Sequence, residues 1–190
     1  MNKHRYSELH KTIFIFTEGE SEEVYLNRLK RRGTEYRVNI KKMNERDLTD
    51  MVVRSHTSAR HSGLSDGDEV YVVFDVDVYD IEDLEKAECK ASNLGVILIA
   101  SNPCFETWLL YHFIENVRLS ASEDCAERLS ECLGRKYRKS EGIGVVDLPT
   151  LQKAMDRSRR AYKCANLSDI KNNPGCTSMH ILVDRLMRND

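Results

Sequence analysis

Apolar and polar positions fall into blocks along the first hundred residues, and the blocks switch between two periods. Residues 12–16 (T-I-F-I-F) form a short, uncharged, β-branched and aromatic run, the composition of a strand. After T-E-G-E-S, Val24, Leu26 and Leu29 supply the apolar positions of a helix over 21–32, with Gly33 as its stop. A weaker strand at 36–40 precedes a helix over 47–60, which gives way to polar H-S-G-L-S-D-G-D. Residues 70–74 (V-Y-V-V-F) are apolar throughout. Such a run predicts a strand buried on both faces, as in a parallel sheet covered by helices. A charged helix over 82–94 leads to a fourth strand at 96–100 (V-I-L-I-A). A further helix starts after S-N-P, with Ser101 or Asn102 as cap and Pro103 in its first turn. Phe105, Trp108, Leu109 and Phe113 form its core face. Beyond about residue 120 the strand signals stop, and 122–133, 148–164 and 177–188 read as helices.

This order predicts a doubly wound α/β fold: a parallel sheet of about four strands flanked by helices, with right-handed crossovers and a helical C-terminal part. At 190 residues the chain reads as one structural domain, an α/β core over 1–120 with a helical extension over 121–190 packed on it. Hydrophobic residues make up 41% and charged residues 32%, ordinary for a soluble protein with a full core. The longest apolar runs are too short to span a bilayer, and the opening M-N-K-H-R-Y-S-E has no signal-peptide core. The expected location is therefore the cytoplasm. The six cysteines lack C-x-x-C spacing, so they read as reduced thiols rather than a zinc site.

A net charge of -2 argues against coating nucleic acid by bulk charge but leaves room for a local basic track. Basic residues concentrate at 30–32, at 135–139 (R-K-Y-R-K) and at 157–163; acidic ones concentrate at 18–23 and 75–83. The glycines of E-G-I-G-V-V do not make a phosphate loop, since no G-x-x-x-x-G-K-[ST] exists here.

The acidic residues carry the candidate chemistry. The third strand runs into F-D-V-D, and residues i and i+2 of a strand share a side about 7 Å apart. Asp75 and Asp77 then sit together at its carboxyl end, with Val76 and Val78 turned to the core and Asp80 capping the next helix. Two unpaired carboxylates there repel and are poorly solvated. A cation relieves both penalties, and Mg²⁺ suits oxygen ligands of this kind, with Mn²⁺ as a substitute. Glu18 occupies the corresponding place after the first strand, and Glu22 follows one helical turn later. If the first and third strands flank the point where strand order reverses, these carboxylates converge in the functional crevice. Gly19 permits a close approach there, and the helix after it aims its amides at an anion. Glu106 lies in the first turn after S-N-P, where either the helix dipole or the crevice accounts for an acid. Trp108 and His112 read as structural rather than catalytic.

T-E-G-E-S-E-E and F-D-V-D at these places are similar to the Toprim fold of topoisomerases, primases and overcoming-lysogenization-defect nucleases. Together with S-N-P-C-F-E-T-W-L-L-Y-H-F and N-P-G-C-T-S-M-H-I-L-V-D-R-L, they resemble the RloB-like family from residue 17 to the C-terminus. The resemblance implies a Mg²⁺-dependent nuclease domain of bacterial anti-phage defence, linked to restriction-modification genes. It implies DNA, RNA or tRNA as substrate and an ABC/SMC-like ATPase (RloA-like) as partner, and it admits a homo-oligomer. It also implies Glu18 as acid/base or metal ligand, Asp75 and Asp77 as the metal platform, and Glu22 as a further ligand.

In such a site a bound metal lowers the pKa of a water and stabilises the leaving oxygen, while Glu18 moves a proton. A basic residue should face the scissile phosphate, and Arg159, Arg160, Lys163 and Lys136 are the candidates. Two other readings compete. A haloacid-dehalogenase-like phosphohydrolase also uses D-x-D, but on its first strand and with a Thr where Tyr79 stands. A non-catalytic nucleotide sensor or regulatory subunit of the ATPase would keep the fold without turnover.

Overall fold

The computed structural model describes residues 11–31 and 35–188; the opening segment and Gly33 lie outside the described residues. Strands β1 (Thr12–Thr17), β2 (Arg37–Lys42), β3 (Glu69–Asp75) and β4 (Val96–Ser101) form one sheet. All pairs are parallel, in the order β2-β1-β3-β4. Successive side chains of a strand face opposite ways, so each inner strand feeds two cores. Ile13, Ile15, Tyr71 and Val73 enter one; Phe14, Phe16, Val70, Val72 and Phe74 enter the other.

Helix α1 (Glu20–Lys30) covers the first face through Tyr25, Leu26 and Leu29. Helices α2 (Leu48–His61) and α3 (Ile81–Leu94) cover the second, through Met51, Val52, Leu84 and Ala87. Asp47 and Asp80 cap these two helices by accepting from the amides of Asp50 and Asp83, satisfying donors that a helix start leaves open. The chain thus moves outward from β1 to β2 over one face and back past β1 to β3 over the other. Its direction reverses between β1 and β3, which places the crevice at their carboxyl ends.

The segment after β4 differs from its expected form. Helix α4 spans only Glu106–Leu110, and neither Ser101 nor Asn102 caps it. Ser101 ends β4 and bonds Thr177, while the Asn102 amide group donates to the carbonyls of Ile170 and Lys171. Pro103 follows a cis peptide bond. Phe105, Trp108 and Leu109 are buried as expected, but the helix stops before Phe113, which is 37% exposed.

Helices α5 (Ser122–Leu133), α6 (Leu148–Ala161) and α8 (Met179–Met187) share the core of α1 through Leu129, Leu151, Met155 and Leu182. The short α7 (Leu167–Lys171), unannounced by any periodicity, joins the opposite core through Leu167 and Ile170. Arg185 ties α8 to the sheet's amino edge: it pairs with Glu69 at 2.9 Å and stacks over Tyr36. Among the described residues no helix is long and apolar enough to cross a membrane.

Candidate functional site

Glu18 is the first residue beyond β1. Its amide continues the ladder to the Val73 carbonyl at 3.1 Å, and its carboxylate accepts from the Asp75 amide and the Tyr79 hydroxyl, both at 3.3 Å. The ends of β1 and β3 are therefore fastened to each other through Glu18. Asp75 closes β3, half-buried overall, with its Oδ1 sealed from solvent and without a hydrogen-bond partner.

Asp77 reaches the site differently from the sequence expectation. The strand stops at Asp75, so a turn rather than the pleat positions it. Lys171 holds that turn, its ammonium donating to the Val76 carbonyl at 2.7 Å and the Asp77 carbonyl at 3.1 Å. The Ser122 hydroxyl donates to Asp77 Oδ2 at 2.7 Å. Val76 is buried as expected, but Val78 points outward, 68% exposed, because the turn breaks the alternation.

Glu22 and Glu106 are each only 2% exposed. Glu22 reaches back to the Gly19 amide at 3.2 Å, one half of a capping box. A Cβ at position 19 would lie 2.4 Å from Glu22 Oε2, so the tip of the Glu22 side chain would have to shift to admit it. Glu106 Oε1 accepts from the Ser21 hydroxyl at 2.8 Å and the Tyr137 hydroxyl at 2.9 Å. The acid after S-N-P thus belongs to the crevice, where it joins α1, α4 and the basic loop 135–139.

These carboxylates feel one another. Burial, reinforced by Glu22, Glu106, Glu18 and Asp77, holds Asp75 well above the usual carboxylate range. Burial also lifts Glu22 to about 7, with Glu106 and Glu18 adding to the rise and Lys139 opposing it. Glu18 is raised by burial too, although the Asp75 amide and Tyr79 hydroxyl pull it back. The cation facing this cluster is Lys139. Desolvation pulls its pKa down, but Glu106, Asp75 and Glu22 outweigh that and leave it raised.

The arginines among the basic candidates read from the sequence have their partners elsewhere. Arg159 pairs with Asp156 and Asp184, and Arg160 pairs with Glu115. Lys163, Lys136 and Lys139 are all exposed, and Lys139 is the one drawn to Glu106, Asp75 and Glu22. Sequence patterning does not single out Lys139, Tyr137 or Lys171, which the structure places at the candidate site. R-K-Y-R-K did mark the basic loop, but the buried anchor of Tyr137 that selects Lys139 within it is a tertiary contact. His112 is structural: it is buried, bonded to the Tyr25 hydroxyl at 3.1 Å and to the carbonyls of Trp108 and Leu109.

Does this donor set suit the Mg²⁺ that the resemblance implies? Among the described residues no three His, Cys, Asp or Glu side chains stand ready to hold an ion. Glu18, Glu22 and Glu106 accept hydrogen bonds from protein donors instead. Asp75 Oδ1 alone among the cluster's oxygens is sealed and unbonded. An oxygen-only set with one orphaned carboxylate oxygen fits a hard cation held by one or two carboxylates that keeps several waters, the usual habit of Mg²⁺. Asp75 would hold it, with Asp77 and Glu18 beside it.

Comparison with known proteins bears out the resemblance to the RloB-like family. No curated protein and no solved structure matched the chain. The family model described as RloB-like protein matches residues 13–186, from the first strand to the last helix and through every carboxylate of the crevice. The chain belongs to the RloB-like family.

Proposed function

We propose that this protein is a metal-dependent nuclease that hydrolyses phosphodiester bonds of DNA or RNA, tRNA included, in bacterial anti-phage defence with an ABC/SMC-like ATPase partner. The observation that carries the reading is the carboxylate cluster at the β1/β3 switch point, built around the orphaned Asp75 Oδ1. A Mg²⁺ or Mn²⁺ ion bound there would polarise the phosphodiester and make its attacking water more acidic. Glu18, raised by burial yet tied to the Asp75 amide, is poised to take a proton from the water or return one to the leaving oxygen. Lys139 supplies positive charge where the phosphate would gather negative charge. Glu22 and Glu106, bonded to Gly19 and to Ser21 and Tyr137, hold the walls of the crevice in place.

The test is cleavage of DNA, RNA and tRNA with Mg²⁺ or Mn²⁺, with and without the ATPase partner. Asp75→Asn and Glu18→Gln should each lower the rate by about 10²-fold or more while the fold persists. Undiminished cleavage by Asp75→Asn would overturn the mechanism. The lack of a ready three-ligand group among the described residues favours one alternative, a non-catalytic subunit of the ATPase. That alternative predicts partner binding without cleavage under any of these conditions.

A further inference from the structure

Two of the six thiols meet where the chain braces the crevice. Cys164 follows α6 and Cys176 precedes α8, and their sulfurs lie 2.8 Å apart. Both are free thiols; Cys176 is 2% exposed and Cys164 is partly open to solvent. The chain between them contains α7 and Lys171, whose ammonium holds the carbonyls of Val76 and Asp77. At the far end of this segment Gly175 donates to the Asn102 carbonyl, and the Cys176 carbonyl accepts from the Asn102 amide, both at 2.9 Å. The cysteine pair therefore closes a short loop that touches both the D-x-D turn and the exit of β4.

We infer that Cys164 and Cys176 are a redox-active pair that forms a reversible disulfide on exposure to a peroxide. The Cys164 sulfur, the one a solvent oxidant reaches, attacks the peroxide oxygen and becomes a sulfenic acid as one water is released. The Cys176 sulfur then attacks that sulfenic sulfur. The S–O bond breaks, the S–S bond forms, and a second water departs with the Cys176 proton. Two thiols and one peroxide give one disulfide and two waters, with two electrons passing from sulfur to peroxide. Burial pushes the Cys176 thiol up and keeps it protonated, which suits the resolving role rather than the first attack. Cys104 and Cys125 also lie together, but at 2% and 0% exposure no oxidant reaches them.

The experiment uses the full chain, treated with hydrogen peroxide at near-stoichiometric amounts, blocked at its remaining thiols and digested with trypsin without reductant. Cleavage after Lys163, Lys171 and Arg185 puts the two cysteines on separate peptides, 164–171 and 172–185. The expected product is these two peptides joined, about 2 Da lighter than their sum, with dithiothreitol restoring both. Two of the six thiols escape blocking, and the melting temperature rises by about 5 °C because the cross-link restricts the unfolded chain. Cys164→Ser should abolish the joined product. All six thiols remaining blockable, sulfinic acid on Cys164 without a cross-link, or a Cys104–Cys125 link would each overturn the inference. So would the same mixture of links from native protein and from protein oxidised in guanidinium.

Discussion

Burial acts in opposite directions on two kinds of titratable side chain in this protein. It keeps His112 unprotonated, its pKa pushed down to about 4, and it holds Asp75 and Glu22 toward their protonated forms. For His112 the unfolded chain binds a proton more readily than the folded one. Its contribution to stability is therefore complete above the ordinary histidine value of 6.5 and is lost as pH falls through the folded value near 4. Between pH 7.5 and pH 5 the loss amounts to about 2 kcal/mol, or about 4–8 °C in melting temperature for a chain of this length. His112→Gln should be less stable at neutral pH, having lost its ring bond to Tyr25, and should show a flatter decline toward pH 5. Parallel melting curves for wild type and variant across that window would sink the idea. This environment was legible only in part. F-E-T-W-L-L-Y-H-F marked His112 as a structural helix residue, but its bond to Tyr25 crosses from α1 and leaves no mark in local spacing. Lys139 escaped for the same reason: nothing separates it from Lys136 or Arg138 until Tyr137 is seen buried against Ser21 and Glu106.

The element scale shows why some boundaries were readable and others were not. β1, β3, β4, α2 and α3 fall within a residue or two of their sequence expectation, because burial on both sheet faces and aspartate caps are local signals. The exit of β4 departs from its sequence expectation because its partner lies far away in the chain. Asn102 exchanges backbone bonds with Gly175 and Cys176, and Tyr111 donates to the Gly175 carbonyl at 2.7 Å. S-N-P-C-F-E and N-P-G-C-T-S, two separate motifs in the sequence, are therefore two halves of one clamp. Gly175 sits at φ +87°, and a Cβ there would run into the Val117 carbonyl. Gly95 also has positive φ, at +66°, but open space around it. Gly95→Ala should then cost only the left-handed strain of about 1–2 kcal/mol. Gly175→Ala adds a backbone collision and should lose about 4 kcal/mol or more, lowering the melting temperature by about 10 °C or preventing soluble expression. Equal melting temperatures for the two variants would refute the clamp.

At the scale of the whole molecule, two cores share one four-stranded sheet, and the crevice is where neither core nor solvent fully accommodates the charges placed there. The parallel direction of the strands was legible from hydrophobic patterning, whereas their order, which puts Glu18 beside Asp75, stood only as a condition that the sheet meets. The depth of the cluster was not legible, since burial of Glu22 and Glu106 depends on α1, α4 and the loop bearing Tyr137 closing over them. A sheltered set of carboxylates has a definite signature in stability. Because Glu18, Glu22 and Asp75 bind protons more tightly folded than unfolded, their contribution is full below the unfolded values, 4.5 for the glutamates and 3.8 for Asp75. It is lost as pH rises through about 7, the folded value of Glu22. A divalent cation competes for the same charge, so it should stabilise at high pH and not at low. With Mg²⁺ at about a hundred times its Kd the gain is about 2.7 kcal/mol, a rise of about 5–10 °C at pH 8, and it should vanish at pH 5. Asp75→Asn replaces the carboxylate whose Oδ1 is sealed and without a hydrogen-bond partner. In EDTA at pH 8 the variant should melt higher than wild type, yet it should gain nothing from Mg²⁺. Thermal melts of both proteins at the two pH values, with EDTA or Mg²⁺, decide the matter. A wild type indifferent to Mg²⁺ at pH 8, or a variant that responds as wild type does, would remove Asp75 as the cation's anchor even if cleavage were observed.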